Sequence, residues 1–256
     1  MAKQPLRNKS STSRDRLRRS EEQPERTGRL PELPIENLIV IGASAGGHKA
    51  LREVVREISH DIPAAIIIMQ HMARKDSFPL KPFQLDAWLG EATRVPIVEI
   101  RSHERLRSGM VYTCPAGMSV SIKGRTLHLT RQKEDAPVST INILFQSAAS
   151  EFGSRGIGVI LTGLLKDGTV GLKALHDAGG VTIVQDPAEA EYSDMPASAM
   201  KDLPVTFCLK LADIGPALDL LARRKTELET GLAHSVRTQR TDRIACAAHR
   251  SIETQS

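Results

Sequence analysis

An apolar run, a glycine-rich turn and an amphipathic helix follow one another between residues 37 and 58, and this unit constrains the fold more than any other stretch. Residues 38–41 are all apolar and lack the alternation of a half-exposed strand, which is typical of a central strand in a parallel sheet. Beyond the turn, apolar residues recur with helical spacing at Leu51, Val54, Val55 and Ile58. Ser44 is therefore expected at the carboxyl end of a buried strand, just before a helix N-terminus.

The turn itself carries the pattern Gly42-x-Ser44-x-Gly46, which matches a nucleophile elbow. Glycine adopts backbone angles that are closed to other residues, so such a turn can present the Ser44 side chain outward. The helix N-terminus offers free N–H groups and a partial positive charge to a developing oxyanion. Two other interpretations are open: the glycines only close a tight turn, or they hold a phosphate. A dinucleotide-binding fingerprint would need glycine in place of Ser44.

The rest of the chain repeats this alternation of apolar runs and helices. Further strands are expected at 64–69, 96–100, 156–161, 181–184 and 205–208, and further helices around 83–89, 140–152, 172–178, 195–200 and 213–228. Between residues 109 and 130 the segments MVYTC, SVSIK and TLHLT alternate, which indicates antiparallel strands. The sequence therefore predicts an α/β fold: a doubly wound, mostly parallel sheet with helices on both faces and a small antiparallel excursion at one edge.

Two polar ends flank this pattern. Residues 1–36 and 231–256 have no apolar periodicity, so we expect a disordered basic arm and a disordered tail on either side of one domain at 37–230. A cytoplasmic protein is expected, because no apolar run approaches the length of a membrane span and the polar N-terminus is unlike a secretory signal.

The positive charge of the chain lies mostly in these ends. The net charge is +5, but residues 1–30 hold nine Lys/Arg and four Asp/Glu, and residues 223–256 hold seven and four. The part between them has 19 basic and 22 acidic residues, a net charge of −3, and aromatic residues make up 3% of the chain. Such a body lacks the basic surface and stacking platforms of a nucleic-acid binder, so no nucleic-acid partner is expected. The ends are either solvated or contact an acidic partner.

Three chemically active side chains follow three of the predicted parallel strands. Ser44 follows the first strand, His71 lies in Gln70-His71-Met72 after the second, and Asp167 lies in the loop after residues 156–161. Because the carboxyl ends of parallel strands meet at one edge of a sheet, we expect these side chains to lie close together. Simpler roles are open for each: a structural histidine, and a turn-forming or helix-capping aspartate. Asp186 and Asp194 are rival carboxylates.

The three residue types form a Ser-His-Asp set. Serine is a weak nucleophile until a neighbouring base takes its proton, which His71 would do, while Asp167 would hold the histidine tautomer. Backbone N–H groups at Ala45 and Leu164 would stabilise the oxyanion. The order Ser, His, Asp differs from that of α/β-hydrolases. No metal or cofactor is expected, because no further ligands occur at metal-binding spacing, and the three cysteines are expected to be reduced.

Several short motifs together resemble the catalytic domain of CheB-type protein-glutamate methylesterases. They occur in the order and spacing of that family, at 41–47, 70–72, 161–168, 179–180, 185–186 and 195–199. The resemblance spans roughly residues 37–221 and makes the domain at 37–230 a CheB-type methylesterase domain. It implies hydrolysis of glutamate methyl esters on the cytoplasmic helices of chemoreceptors, with deamidation of glutamine as a further expectation. The family's nucleophile, base and aspartate map to Ser44, His71 and Asp167.

The chain departs from the family pattern at several positions. Ala45 replaces the threonine that usually follows the nucleophile, and Leu164 replaces the methionine of the oxyanion loop, where a backbone N–H would still serve. Leu165 stands in place of the loop's second glycine, so a branched side chain is expected to reshape that loop. The family's Ser-Ile/Val-Asp segment appears as residues 140–142, with Thr140 first.

The chemotaxis enzymes usually carry a receiver domain before this one, whereas only a polar arm precedes residue 37 here. We therefore expect either an unregulated methylesterase or a version recruited to another protein, with a separate receiver protein as a candidate partner. A methylated chemoreceptor or similar methylated protein is the expected substrate partner, and a methyltransferase is a further candidate. The competing hypothesis is a catalytically weak or inactive interaction module of the same fold in a chemosensory-type complex.

Overall fold

The computed structural model describes residues 35–72, 84–101, 103–132 and 139–224. The predicted arm falls outside these ranges apart from Ile35 and Glu36, and the predicted tail falls outside them entirely, so their disorder stays a prediction. Among the described residues, no helix is both long enough and apolar enough to cross a membrane.

The described residues form ten strands, six α-helices and one short 3₁₀-helix, Gly153–Arg155. In chain order the strands are β1 (Asn37–Ala43), β2 (Ala64–Gln70), β3 (Ile97–Glu99), β4 (Glu104–Arg105), β5 (Met110–Thr113), β6 (Met118–Lys123), β7 (Thr126–Arg131), β8 (Gly156–Ile160), β9 (Val181–Gln185) and β10 (Phe207–Leu209). The helices are α1 (Gly47–Arg56), α2 (Leu85–Gly90), α3 (Thr140–Phe152), α4 (Thr169–Asp177), α5 (Asp194–Asp202) and α6 (211–224).

Seven strands form one sheet in the order β10-β9-β8-β1-β2-β5-β3, and every neighbouring pair is parallel. β1 lies at the centre, between β2 and β8, and all seven of its residues are buried. The absence of alternation in residues 38–41 correctly predicted this position, because a central parallel strand is covered on both faces.

Helices cover both faces of this sheet. Leu38 and Val40 of β1 belong to the hydrophobic cluster that includes buried residues of α3, α4 and α5, whereas Ile39 and Ile41 belong to the cluster that includes α1, α2 and α6. Successive side chains of a strand point to opposite faces, so the two clusters lie on opposite sides of the sheet. The predicted doubly wound α/β fold is confirmed.

The antiparallel excursion is also confirmed, as a separate three-stranded sheet in the order β4-β7-β6. It packs against α3, where the Ser147 hydroxyl accepts a hydrogen bond of 3.0 Å from the Ile122 N–H. One segment was assigned wrongly from the sequence: Met110–Thr113 is a parallel strand of the main sheet, between β2 and β3. Its three last residues are all buried, so the alternation that suggested an antiparallel strand does not correspond to an exposed face.

Candidate active site

Ser44 lies at the carboxyl end of β1, in a turn that is fixed on both sides. Its N–H donates to the Thr162 carbonyl at 3.0 Å, and its carbonyl accepts from the Gly47 N–H at 2.9 Å. Gly46 holds a φ of +75° just before α1, as the elbow pattern predicts. Gly42 does not have a positive φ; a Cβ there would lie 2.5 Å from Ile141 of α3, so glycine is required for close packing instead.

The end of β2 is tied to the Ser44 turn by Gln70. The buried Gln70 side chain donates to the carbonyl oxygens of Ser44 at 2.7 Å and of His71 at 2.9 Å. The His71 N–H also donates to the Ala43 carbonyl at 3.0 Å. Gln70 therefore fixes the backbone that carries both side chains, a role that sequence reasoning missed although this residue directly precedes His71.

The structure brings Ser44, His71 and Asp167 together at the carboxyl edge of the sheet. His71 Nδ1 lies 3.2 Å from Ser44 Oγ, and His71 Nε2 lies 2.9 Å from Asp167 Oδ2. The rival carboxylates are engaged elsewhere: Asp186 accepts from the Ala188 N–H, and Asp194 accepts from the Leu165 N–H. Asp167 is thus the carboxylate that contacts the histidine.

Asp167 is anchored at the N-terminus of α3. The residue is buried, at 7% exposure, and its Oδ2 accepts from the Ile141 N–H at 3.0 Å in addition to the contact with His71. Its Oδ1 accepts from the N–H groups of Asn142 at 3.2 Å and Gly168 at 2.8 Å. The carboxylate therefore satisfies N–H groups that have no partner within the helix, so the capping interpretation and the contact with His71 both hold.

The N–H groups of Ala45 and Leu164, predicted as oxyanion donors, make no hydrogen bond to another described residue. The loop that carries Leu164 lies against Ser44, because a Cβ on Gly163 would be 2.8 Å from Ser44 Cβ. Leu164 itself is 49% exposed. Within the described ranges both N–H groups therefore lack a protein acceptor, and their role as oxyanion donors stays a prediction.

Leu165 keeps the backbone conformation that glycine would adopt. Its φ is +66°, its side chain is 77% exposed, and its N–H donates to Asp194 Oδ2 at 3.2 Å. The branched side chain projects into solvent from a left-handed turn. The expectation that this leucine reshapes the loop stays a prediction.

Thr140 is a further residue that sequence reasoning did not assign to the site. Its Oγ1 lies 3.0 Å from His71 Nε2, and the residue is 3% exposed. The only sequence signal was its place at the start of a predicted helix, in the segment that corresponds to the family's Ser-Ile/Val-Asp.

An ion pair between Lys49 of α1 and Glu191, in the loop before α5, adjoins the Ser44 turn. Glu191 packs against Gly46 and lies 3.8 Å from the Lys49 ammonium. Burial lowers the pKa of His48, which lies edge-on to Trp88.

In the part of the chain that the structure describes, no three His, Cys, Asp or Glu side chains are grouped so that they could hold a metal ion.

Comparison with known proteins relates the whole described core to one family. A family model described as CheB methylesterase matches residues 39–218. The protein-glutamate methylesterase/protein-glutamine glutaminase 2 of Anaeromyxobacter dehalogenans is 36% identical over 190 residues, which are 73% of this chain and 53% of that protein. A putative protein-glutamate methylesterase/protein-glutamine glutaminase of Leptospira interrogans is 35% identical over 179 residues, 69% of this chain and 90% of that protein.

A solved structure supports the same relationship. The crystal structure of the Thermotoga maritima CheB methylesterase catalytic domain superimposes with a TM-score of 0.63 at 25% identity, and the match covers 72% of this chain and 98% of that one. The matches cover 52–53% of the length of three curated relatives, so the chain spans about half of each of them. The match to the family model over most of the chain, together with this shared fold, establishes that the chain belongs to the CheB methylesterase family.

Proposed function

We propose that this chain hydrolyses methyl esters of glutamate side chains on a protein, with Ser44 as nucleophile, His71 as general base and acid, and Asp167 as the carboxylate that orients His71. The observation that carries this proposal is the pair of contacts made by one imidazole, 3.2 Å to Ser44 Oγ and 2.9 Å to Asp167 Oδ2. The family relationship supports the choice of ester, since the relatives are named protein-glutamate methylesterases.

The reaction would proceed in two halves. Ser44 Oγ attacks the ester carbonyl while His71 Nδ1 takes its proton, and the N–H groups of Ala45 and Leu164 stabilise the oxyanion. The intermediate then expels the methoxy group, which leaves as methanol with the proton from His71. A water molecule, deprotonated by His71, attacks the acyl-enzyme, and glutamate is released as Ser44 Oγ recovers the proton.

Substrate and setting follow from the family. The proposed substrate is a methylated chemoreceptor or a similar methylated protein in the cytoplasm, and a methyltransferase would form the ester that is hydrolysed here. Deamidation of a glutamine side chain would follow the same path with ammonia as the leaving group. A separate receiver protein is proposed as the regulator.

Labelling with a serine-reactive fluorophosphonate tests the nucleophile. The wild-type chain and the matched control Ser150→Ala, which changes an exposed serine of α3, should be labelled equally, and Ser44→Ala should not be labelled. Methanol release from a methylated receptor should likewise vanish only in Ser44→Ala. Equal labelling of all three proteins would contradict the assignment, whereas receptor binding without methanol release would favour the interaction module.

A further inference from the structure

The outer nitrogen of His71 has two oxygen neighbours. Asp167 Oδ2 lies 2.9 Å from His71 Nε2, and Thr140 Oγ1 lies 3.0 Å from the same atom. Thr140 is 3% exposed, so bulk water does not replace His71 Nε2 as the hydrogen-bond partner of its hydroxyl. A buried hydroxyl placed on the catalytic imidazole requires a chemical explanation beyond packing.

The direction of these hydrogen bonds follows from the environment of Asp167. Its Oδ2 accepts the Ile141 N–H at 3.0 Å, and its Oδ1 accepts those of Asn142 at 3.2 Å and Gly168 at 2.8 Å, so both oxygens act as acceptors. We therefore assign the hydrogen to His71 Nε2, where Asp167 Oδ2 and Thr140 Oγ1 both lie within hydrogen-bond distance and would share it in a three-centre bond. The reverse arrangement, with Thr140 donating to a bare Nε2, would set a nitrogen lone pair against a carboxylate and place the hydrogen on Nδ1. Ser44 would then face no base.

We propose that Thr140 is a positioning residue for His71: its Oγ1 is a second acceptor that fixes the Nε2–H tautomer and supports the imidazolium formed when Nδ1 takes the Ser44 proton. This inference rests on the proposed hydrolase function and adds a fourth side chain to it. The site then uses one neutral and one charged acceptor on the same N–H.

The start of α3 explains how the two acceptors are held together. Thr140 is the first residue of that helix, and the next two N–H groups, of Ile141 and Asn142, bind Asp167. A β-branched residue in a helix has few side-chain rotamers, so the helix backbone determines where the Thr140 hydroxyl lies. A single helix terminus therefore sets the position of both oxygens that face His71 Nε2.

Two substitutions separate the hydroxyl from the shape of the side chain. Thr140→Val keeps the branched shape and removes the acceptor, and it should lower kcat for methyl-ester hydrolysis about 5- to 10-fold, the range of one lost hydrogen bond, with KM unchanged. Thr140→Ser keeps the hydroxyl and should restore kcat to within about 3-fold of wild type. The fluorophosphonate labelling rate should follow the same order. Equal kcat for wild type and Thr140→Val, or equal loss in both variants, would overturn the proposal.

A spectroscopic readout keeps this test separate from the question of activity. In chains labelled with ¹⁵N at histidine, the His71 side-chain resonances should report a hydrogen on Nε2 in wild type and in Thr140→Ser. In Thr140→Val the Nε2–H signal should shift or broaden through faster exchange with water. An unchanged signal in Thr140→Val would overturn the role of Thr140 even if hydrolysis is established. Loss of methanol release in the wild type would instead contradict the proposed function.

Discussion

Leu165 adopts a left-handed backbone conformation, with a φ of +66°, that usually belongs to glycine. An L-amino acid with a Cβ pays roughly 1–2 kcal/mol for this conformation. Leu165 is 77% exposed, so burial of its side chain offsets little of this destabilisation. The loop beside Ser44 therefore contains a local strain that the family's glycine would not have.

Replacing this residue should relieve the strain. Leu165→Gly is expected to raise the free energy of unfolding by about 0.5–1 kcal/mol, which is the conformational gain reduced by the greater freedom of glycine in the unfolded chain. Urea denaturation measures the change. Leu164→Gly is the matched control, because Leu164 does not have a positive φ and glycine there should be neutral or destabilising. A lower midpoint for Leu165→Gly than for wild type would contradict this account.

The sequence predicted which side chains meet at the candidate site better than it predicted the local packing around them. Ser44, His71 and Asp167 were predicted from their places after parallel strands, and the structure brings them within hydrogen-bond distance. Thr140 was not assigned, because its contact depends on how α3 approaches the sheet, and no local pattern encodes that approach. The glycine at position 42 was explained by backbone angles, whereas the structure explains it by the packing of Ile141.

The helix α3 depends on a residue that lies outside it. The helix has no side-chain cap from its own N-cap residue Ser139, and the carboxylate of Asp167 accepts the N–H groups of Ile141 and Asn142 in its place. The same carboxylate accepts from Gly168. An interaction that orients the candidate base therefore also stabilises an element of the fold.

Substituting this carboxylate should reduce stability as well as activity. Asp167→Ala is expected to lower the free energy of unfolding by about 2 kcal/mol, because buried N–H groups lose their acceptor. His71→Ala should abolish hydrolysis too, but with a smaller loss of stability, since Asp167 would keep its backbone donors. Urea denaturation of both variants, with hydrogen exchange at residues 141 and 142, provides the measurement. A larger destabilisation in His71→Ala would contradict the capping role.

Periodicity predicted the boundaries of α3 and β2 closely, whereas α4 and α6 begin three and two residues before their predicted starts. The helix predicted at 140–152 is found at Thr140–Phe152, and the strand predicted at 64–69 extends one residue to Gln70. The four residues Met110–Thr113 were misassigned because a segment of this length carries too little periodicity to tell a covered strand from a half-exposed one. Their place between β2 and β3 depends on pairing with residues distant in the sequence.

In the described ranges, the seven-stranded sheet lies between two hydrophobic clusters. Cys114, just after β5, belongs to the cluster that includes α3 and is 2% exposed, whereas Cys208 lies in the edge strand β10 and is exposed. Burial, with a smaller effect of the Glu99 charge, raises the pKa of the Cys114 thiol to about 12. Burial and the nearby Asp186 also raise the pKa of Cys208.

These differences predict selective thiol reactivity. At neutral pH and in the folded state, a maleimide should modify Cys208 and leave Cys114 intact, because Cys114 is neither accessible nor ionised. In urea both should react. Mass spectrometry of the digested protein identifies each site, and Cys208→Ser confirms the assignment. Modification of Cys114 at the rate of Cys208 in the native protein would show that this side of the core opens readily. Cys246 lies outside the described residues.

The anchoring of Asp167 on α3 has a further consequence for how such a protein can change. If the start of α3 shifts, Thr140 Oγ1 and Asp167 Oδ2 move relative to His71 Nε2. Substitutions that loosen α3 at a distance would therefore weaken the proposed hydrolysis without changing Ser44, His71 or Asp167. Selection for turnover would then act on positions of α3 that never meet substrate. Fewer substitutions should therefore be tolerated along α3 than its distance from Ser44 suggests.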